Sequence, residues 1–398
     1  MLQGIDYTGR LLGSIDFIEA SWDRKWSEAG EFLVQMTLDE FNRLDALGMK
    51  YVRNVGRPEQ GIIQKVEYSK EIEGAFVVVS GFFMEKLLDF GTYRKTQVVT
   101  ASSEAAVKSA LSAYINNANA GVTVDGRIYK PLKNVTIDTA SVFPSNVDNS
   151  IDQGTPMGAA IYETLSNTGY GMIVKAGEYP AGSEAGAVGL NVVFRKGRQL
   201  TDGETGVFFG KAYNNVDDMS YKLDESAEKC LYEIIQEVDA DHYSAFSSSY
   251  FPIKYTEIVD GTTRYYIGCT YFSAANQPTK IGNCYPKKVL STSLSSDECD
   301  LKITTATNQE LIRNLMRKKA QLDMLDNYKV ETMEINVIQV RYEYLSDYDL
   351  GDTCAVLIDD LNQMYYARIE KINETHKDNM VDIQLVLGTP RKQKWRRV

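Results

Sequence analysis

Short alternating runs, rather than long helical stripes, decide what this chain can become. Glu31 to Leu38 (EFLVQMTL) sets Phe32, Val34, Met36 and Leu38 against polar or smaller neighbours, the period of a half-buried strand. Gly61 to Tyr68 (GIIQKVEY) has a mixed pattern that is still strand-like. After a turn over Lys70–Gly74, Ala75 to Ser80 (AFVVVS) is β-branched enough to be buried on both faces. Together these segments predict a meander or small barrel over about the first ninety residues.

Three segments have helical spacing instead. Ser102 or Ser103 can cap a helix whose Val107, Ala110, Leu111, Tyr114 and Ile115 form one face. Thr155-Pro156 supplies an N-cap and first-turn proline for a helix carrying Met157, Ile161 and Leu165, with Gly169 placed to end it. Thr307 to Glu310 (TNQE) is a capping box opening a longer helix with Leu311, Leu315, Leu322 and Leu325 on one side. Such stripes are the spacing of core packing. The Gly/Ala-rich stretch Ala176 to Gly189 predicts a flexible loop. Ser244 to Cys299 is heavy in Ser, Thr and Tyr, with turns at Asp260-Gly261 and Asn276–Pro278, and predicts strands of an inserted region. Its tyrosines suit either contacts between subunits or ordinary strand packing.

Two segments near opposite ends of the chain resemble each other: Ile63 to Gly81 (IQKVEYSKEIEGAFVVVSG) and Ile369 to Gly388 (IEKINETHKDNMVDIQLVLG). Each opens with Ile-x-Lys-[Val/Ile], crosses a charged turn, and returns on a β-branched strand to a glycine. The one-residue difference in length is expected in the turn. Upstream, Glu31 to Leu38 and Asp352 to Ile358 are matched as short apolar strands following a glycine. Either a duplicated unit or chance similarity of two hairpins accounts for this. A duplication would let three chains present six equivalent units.

Known chemistry is hard to find. No HExxH, GxSxG, GxxxxGK[ST] or GxGxxG occurs. Of the two histidines, His242 lies in DADHY beside Asp239 and Asp241, which suits a metal or acid–base role or a solvated acidic turn. His376 sits in ETHKDN, where an exposed hairpin turn is expected. The five cysteines form no CxxC pair, and free, buried thiols are the expectation. Carboxylates are plentiful, but no segment marks out one catalytic pair. We therefore expect a scaffold rather than an enzyme, with no catalytic, cofactor-binding or metal-ligating residues and no cofactor. The net charge of -11 opposes an average nucleic-acid-binding surface, and the basic tail Arg391 to Val398 reads as a solvated terminus. No apolar run is long enough for a bilayer span or a secretory signal, so membrane insertion is not expected.

In ordered blocks, the chain resembles the hub proteins of long-tailed phages: the Gp37-like tail proteins of siphophages and relatives of the myophage baseplate hub. Ile15 to Leu38 (IDFIEASWDRKWSEAGEFLVQMTL) looks like the family's opening, an aromatic, an arginine, then a Gly-Glu-Phe strand. Gly61 to Val66, Val79 to Leu88 (VSGFFMEKLL) and Gly158 to Val174 (GAAIYETLSNTGYGMIV) resemble successive blocks. LNVVFRKGRQLTDG and GVFFGKAYNNVDDMSYKLD, through Asp224, resemble its basic-Gly turn and Phe-x-x-x-x-Asn strand. YEYLSDYDLGDTCAVLIDD, YYARIEKINE and LVLG close the match, with Asp347 to Asp352 its most specific string; Gly351 there is expected to need positive φ. Ser244 to Cys299 resembles none of these blocks.

The resemblance implies a β-rich α+β chain with two related tube-type β-barrel domains and inserted α/β domains. The expected ranges are 1–95 for the first barrel domain, 96–200 for an inserted α+β domain, and 201–240 for the start of the second barrel. Residues 241–305 form the Ser/Tyr-rich insertion, 306–390 a helix and the remainder of the second barrel, and 391–398 the basic tail. The family further implies a homotrimer at the distal end of a tail tube, made in the host bacterial cytoplasm. Its neighbours there would be distal tail and tail-tube proteins, the tape-measure protein, and spike or receptor-binding tail-tip proteins, with DNA only as passing cargo. A hub of a phage-derived contractile particle is the alternative. A tail-tip cell-wall hydrolase fits less well, since only Thr389 to Val398 follow the last expected strand. The acidic excess would suit either a channel over which DNA slides or simple solubility.

Overall fold

The structure, a computed structural model, describes residues 1–7, 9–71, 74–90, 97–99, 105, 122–124, 127–129, 135–143, 149–151, 154–165, 169–177, 189–224, 231–272, 288–291, 306–325, 330–378 and 380–388. The helix expected after Ser102, apart from Ala105, positions 178–188 of the expected Gly/Ala-rich loop, the turn at Asn276–Pro278 and the basic tail lie outside the described residues. The architecture is β-rich α+β.

The first unit contains β1 (Leu2–Asp6), β2 (Leu11–Ser14), β3 (Glu19–Lys25), β4 (Glu31–Thr37), β5 (Met49–Asn54), β6 (Gln60–Glu71) and β7 (Gly74–Phe83). The alternation read in β4 is realised: Phe32, Val34 and Met36 point into a core with Leu2, Trp22, Leu44, Val77, Val79 and Phe83. Each such side chain stabilises the fold by about 1.5–3 kcal/mol through burial. Leu38 leaves the strand and opens the helix Leu38–Ala46, because the Thr37 hydroxyl accepts from the Glu40 N–H at 3.3 Å and caps it. In β7, Val77 and Val79 are buried while Val78 is half-buried, so one face rather than both is fully covered. The mixed pattern of β6 has a local cause. The ladder to β7 shifts between Ile63 and Lys65, and this bulge at Gln64 moves the later residues to the opposite face.

The second unit contains β17 (Val216–Asp224), β22 (Val330–Val337), β23 (Thr353–Ile358), β24 (Gln363–Lys377) and β25 (Met380–Gly388). Its strand order, β17-β22-β25-β24-β23, repeats the order β3-β4-β7-β6-β5 of the first unit. The hairpins agree residue for residue. Ile63 faces Gly81 and Ile369 faces Leu387; Lys65 faces Ser80 and Lys371 faces Val386; Glu71 faces Gly74 and Lys377 faces Met380. Both ladders shift at the residue between the Ile and the Lys. Two expected details change. The turns are equal in length, so Gly388 lies one position beyond the match to Gly81. The partner of β4 is β22, while Thr353–Ile358 corresponds to β5, because each pairs with the first strand of its hairpin. The two units share one 14-stranded sheet, joined where β3 pairs with β24 from Lys25↔Lys371 to Glu19↔Lys377.

Two insertions hang from this sheet. The first has a sheet of β11 (Val135–Ile137), β14 (Gly189–Lys196) and β13 (Tyr170–Gly177). Against it pack the 3-10 segment Met84–Phe90 and the helix Met157–Leu165, whose Met157, Ile161 and Leu165 are buried as their spacing predicts. The second has a sheet of β19 (Ile253–Val259), β20 (Thr262–Phe272), β18 (Leu231–Val238) and β21 (Lys288–Ser291). The Asp260-Gly261 turn has positive φ at both positions, 51° and 76°, as its hairpin requires.

The expected boundaries shift here. Strand β18 belongs to the insertion rather than to the start of the second unit, because its ladders run to β20 and β21. The helix Ala306–Leu325 belongs there too. It buries Ile312, Met316 and Ala320 against Ile234, Phe246, Phe251 and Ile267, while Leu311 is exposed. The buried face is therefore centred on Ile312, Met316 and Ala320, with Leu315 of the expected stripe partly buried against the same core, and the helix begins one residue before the expected Thr307 cap.

Candidate functional site: a charged seam and two free sheet edges

Where β3 meets β24, the units bring buried charges together. Arg24, fully buried on β3, donates through Nε to Glu59 Oε1 at 2.8 Å and through Nη1 to Asp349 Oδ1 and the Tyr344 hydroxyl, both at 2.6 Å. Asp349 Oδ2 accepts from Arg195 Nη1 at 2.7 Å. Beside this, the buried Glu374 carboxylate accepts both Nε and Nη2 of Arg57 at 2.7 Å, the fork geometry of a strong ion pair. The Tyr344 hydroxyl donates to Glu374 Oε1 at 2.9 Å, linking the two clusters. Arg24, Arg57 and Glu59 come from the first unit, Tyr344, Asp349 and Glu374 from the second, and Arg195 from the first insertion.

The electrostatics follow from these contacts. Burial pushes Asp349 up, but Arg24 and Arg195 outweigh it and hold the carboxyl at about 2. Burial likewise raises Glu374, while bonds from His376, Arg57 and Tyr344 bring it down to about 2. Two other carboxyls behave oppositely. Burial lifts Glu85 to about 8 despite a bond from the Val174 N–H at 2.9 Å, and lifts Glu370, at the bulge of β24, to about 7.

His376 is a correction. It is only 8% exposed on the inner face of β24, 3.4 Å from Asn54 Nδ2 and 3.5 Å from Glu374, because the turn falls two residues later than ETHKDN suggested. His242 lies in the short helix Ala240–Tyr243, with Nδ1 3.7 Å from Asp239. Among the described residues, no three His, Cys, Asp or Glu side chains are grouped to hold a metal ion. Cys269 and Cys354 are free and buried.

The Asp347 to Asp352 string closes the seam. Gly351 takes φ 89°, and a Cβ there would enter the Trp26 ring. Asp352 holds Arg198 through Nε at 3.0 Å and Nη2 at 2.7 Å, and its Oδ2 accepts the Asp349 N–H at 2.8 Å. Glu374 was not singled out from the sequence, and Arg24 entered only as the arginine of the family-like opening. Each also left a charge on the inward phase of an alternating strand.

Besides β2, which ends the strand order and pairs only with β1 among the described residues, two further edges of the large sheet are open. Beyond Ile62, β6 pairs only with β7, and β17 pairs only with β22, among the described residues. Both edges carry exposed apolar side chains: Val66 is 50% exposed, Tyr68 59% and Leu223 45%. Such edges are exposed templates for another strand.

No family model matches the chain, and no curated protein matches it. Solved structures do match over nearly its whole length. The tail protein from Neisseria meningitidis MC58 is 13% identical with a TM-score of 0.53, over 97% of this chain and 95% of that one. The prophage tail protein gp18 from Listeria monocytogenes EGD-e is 13% identical with a TM-score of 0.50, over 98% and 95%. The 43 kDa tail protein of prophage MuSo2 from Shewanella oneidensis is 12% identical with a TM-score of 0.50, over 99% of both chains. The chain therefore carries the fold of these tail proteins.

Proposed function

We propose that the chain is a structural hub of a phage tail, a non-enzymatic homotrimer that closes the distal end of the tail tube. The internal duplication carries this reading: two units with one strand order and one bulge position are fused edge to edge through β3 and β24. Three such chains present six near-equivalent units, which lets a threefold ring sit on a sixfold tube. The fold shared with tail proteins over nearly the whole chain supports the same placement. In this reading distal tail and tail-tube proteins bind one rim of the ring, and spike or receptor-binding proteins bind the other. The tape-measure protein ends at the hub, and DNA passes through the bore.

Immunogold electron microscopy of particles from the source culture tests the proposal. Gold at the distal tip of tails is expected. Tailed particles that stay unlabelled at tips made accessible to the antibody would overturn it.

A further inference from the structure

Resting on the hub reading above, we infer that the open edge of β6 pairs antiparallel with the open edge of β17 in a second copy of this chain. The argument transfers the junction inside the chain to the junction between chains. Within the chain, β24 of the second unit pairs with β3 of the first. By the repeat, β24 corresponds to β6: Lys371 to Lys65, Glu374 to Tyr68 and Lys377 to Glu71. The other correspondence runs through the neighbouring ladders. Phe32 faces Gly81 in one unit and Met333 faces Leu387 in the other, which matches β4 to β22. Trp22 then faces Phe32 as Tyr221 faces Met333, so Trp22 matches Tyr221, Asp23 matches Lys222 and Arg24 matches Leu223.

Carried over, the register Ile372↔Arg24, Asn373↔Asp23, Glu374↔Trp22 and Thr375↔Ser21 becomes Val66↔Leu223, Glu67↔Lys222, Tyr68↔Tyr221 and Ser69↔Ser220 between copies. Nothing in the derivation used side-chain chemistry, yet the pairs are complementary. On one face the exposed apolar Val66 meets the exposed apolar Leu223, with the two tyrosines next in line. On the other face Glu67 meets the exposed Lys222, and Lys65 takes the register position opposite Asp224. Opposite charges and apolar pairs directly across a ladder stabilise pairing, whereas like charges oppose it. Shifting by one residue would set Val66 against Lys222, so the pattern also selects the register. The internal junction also carries ion pairs on its polar face, Lys377 with the directly opposite Glu19 at 3.1 Å and Lys371 with Asp23 at 2.7 Å, diagonally past the Lys25 that it faces.

Because β6 and β17 are different surfaces, the contact is head-to-tail, and it closes into a ring when the rotation allows. Each closure would continue the sheet from one chain into the next.

Two sets of variants of the full chain test this, read by analytical ultracentrifugation and non-reducing gels. Glu67→Lys alone and Lys222→Glu alone should each shift the trimer to monomer, and the two together should restore it, with circular dichroism unchanged throughout. Val66→Cys with Leu223→Cys should give an intermolecular disulfide ladder on mild oxidation. Tyr68→Cys with Leu223→Cys, displaced by two residues, should give far less. A trimer that ignores both charge reversals and shows no selective 66–223 crosslink would overturn this register and leave the hub reading standing. A wild-type chain that stays monomeric at every concentration would overturn the inference and the trimeric reading together.

Discussion

Replacing Arg24 by Met tests the seam most directly, since it keeps a long apolar stem and removes the charge. Arg24 is wholly buried and joins Glu59, Tyr344 and Asp349 at 2.6–2.8 Å. Without it, the buried Glu59 loses its guanidinium partner, and Asp349 keeps only Arg195 of its two cations. Breaking a buried ion pair from one side costs about 3–5 kcal/mol, because the remaining charge is neither paired nor hydrated. We expect Arg24→Met to lose about that much at neutral pH, read by urea unfolding with tryptophan fluorescence. Trp22 and Trp26 flank the position and lie in the cores of the first and second units, so they report on both. The sign with pH is also set. Asp349 is held at about 2, below its ordinary value of 3.8, so its contribution is whole above about pH 4 and is lost as pH falls toward 2. The gap between wild type and variant should therefore narrow in acid. A loss under about 1 kcal/mol, or a gap indifferent to acid, would refute the account of the seam.

Two further outcomes follow from the same structure. Gly351→Val should lower the melting temperature far more than Gly48→Ala, although both glycines have positive φ, at 89° and 82°. A Cβ at Gly351 enters the Trp26 ring, whereas at Gly48 it meets nothing within 4 Å. Gly48→Ala should cost about 1 kcal/mol of backbone strain and Gly351→Val about 3 kcal/mol or more, so equal shifts by calorimetry would contradict the packing argument. Glu85 and Glu370 are raised from 4.5 to about 8 and about 7, so what they contribute is complete below pH 4.5 and lost as pH rises through 7–8. With Glu374 and Asp349 failing on the acid side, the melting temperature should peak between about pH 4.5 and 7. A maximum above pH 8 would count against it.

Strand period and turn chemistry are local, and these features were legible in the sequence. The core face of β4, the buried stripe of the helix Met157–Leu165 and the two-residue turn at Asp260-Gly261 each need only neighbouring residues to be read. Even the duplication showed, because an Ile-x-Lys opening survives at both bulges. What local pattern could not settle was which surface each element would meet. The helix Ala306–Leu325 offered a leucine stripe starting at Leu311, yet packing against β18 and β20 buried Ile312, Met316 and Ala320, kept Leu315 partly buried and left Leu311 exposed. His376 looked like a turn residue until the ladder of β24 carried it inward beside Glu374. Arg24 and Asp349 stand 325 residues apart. A buried charge is tolerable only beside its partner, and only the folded sheet makes those two residues neighbours.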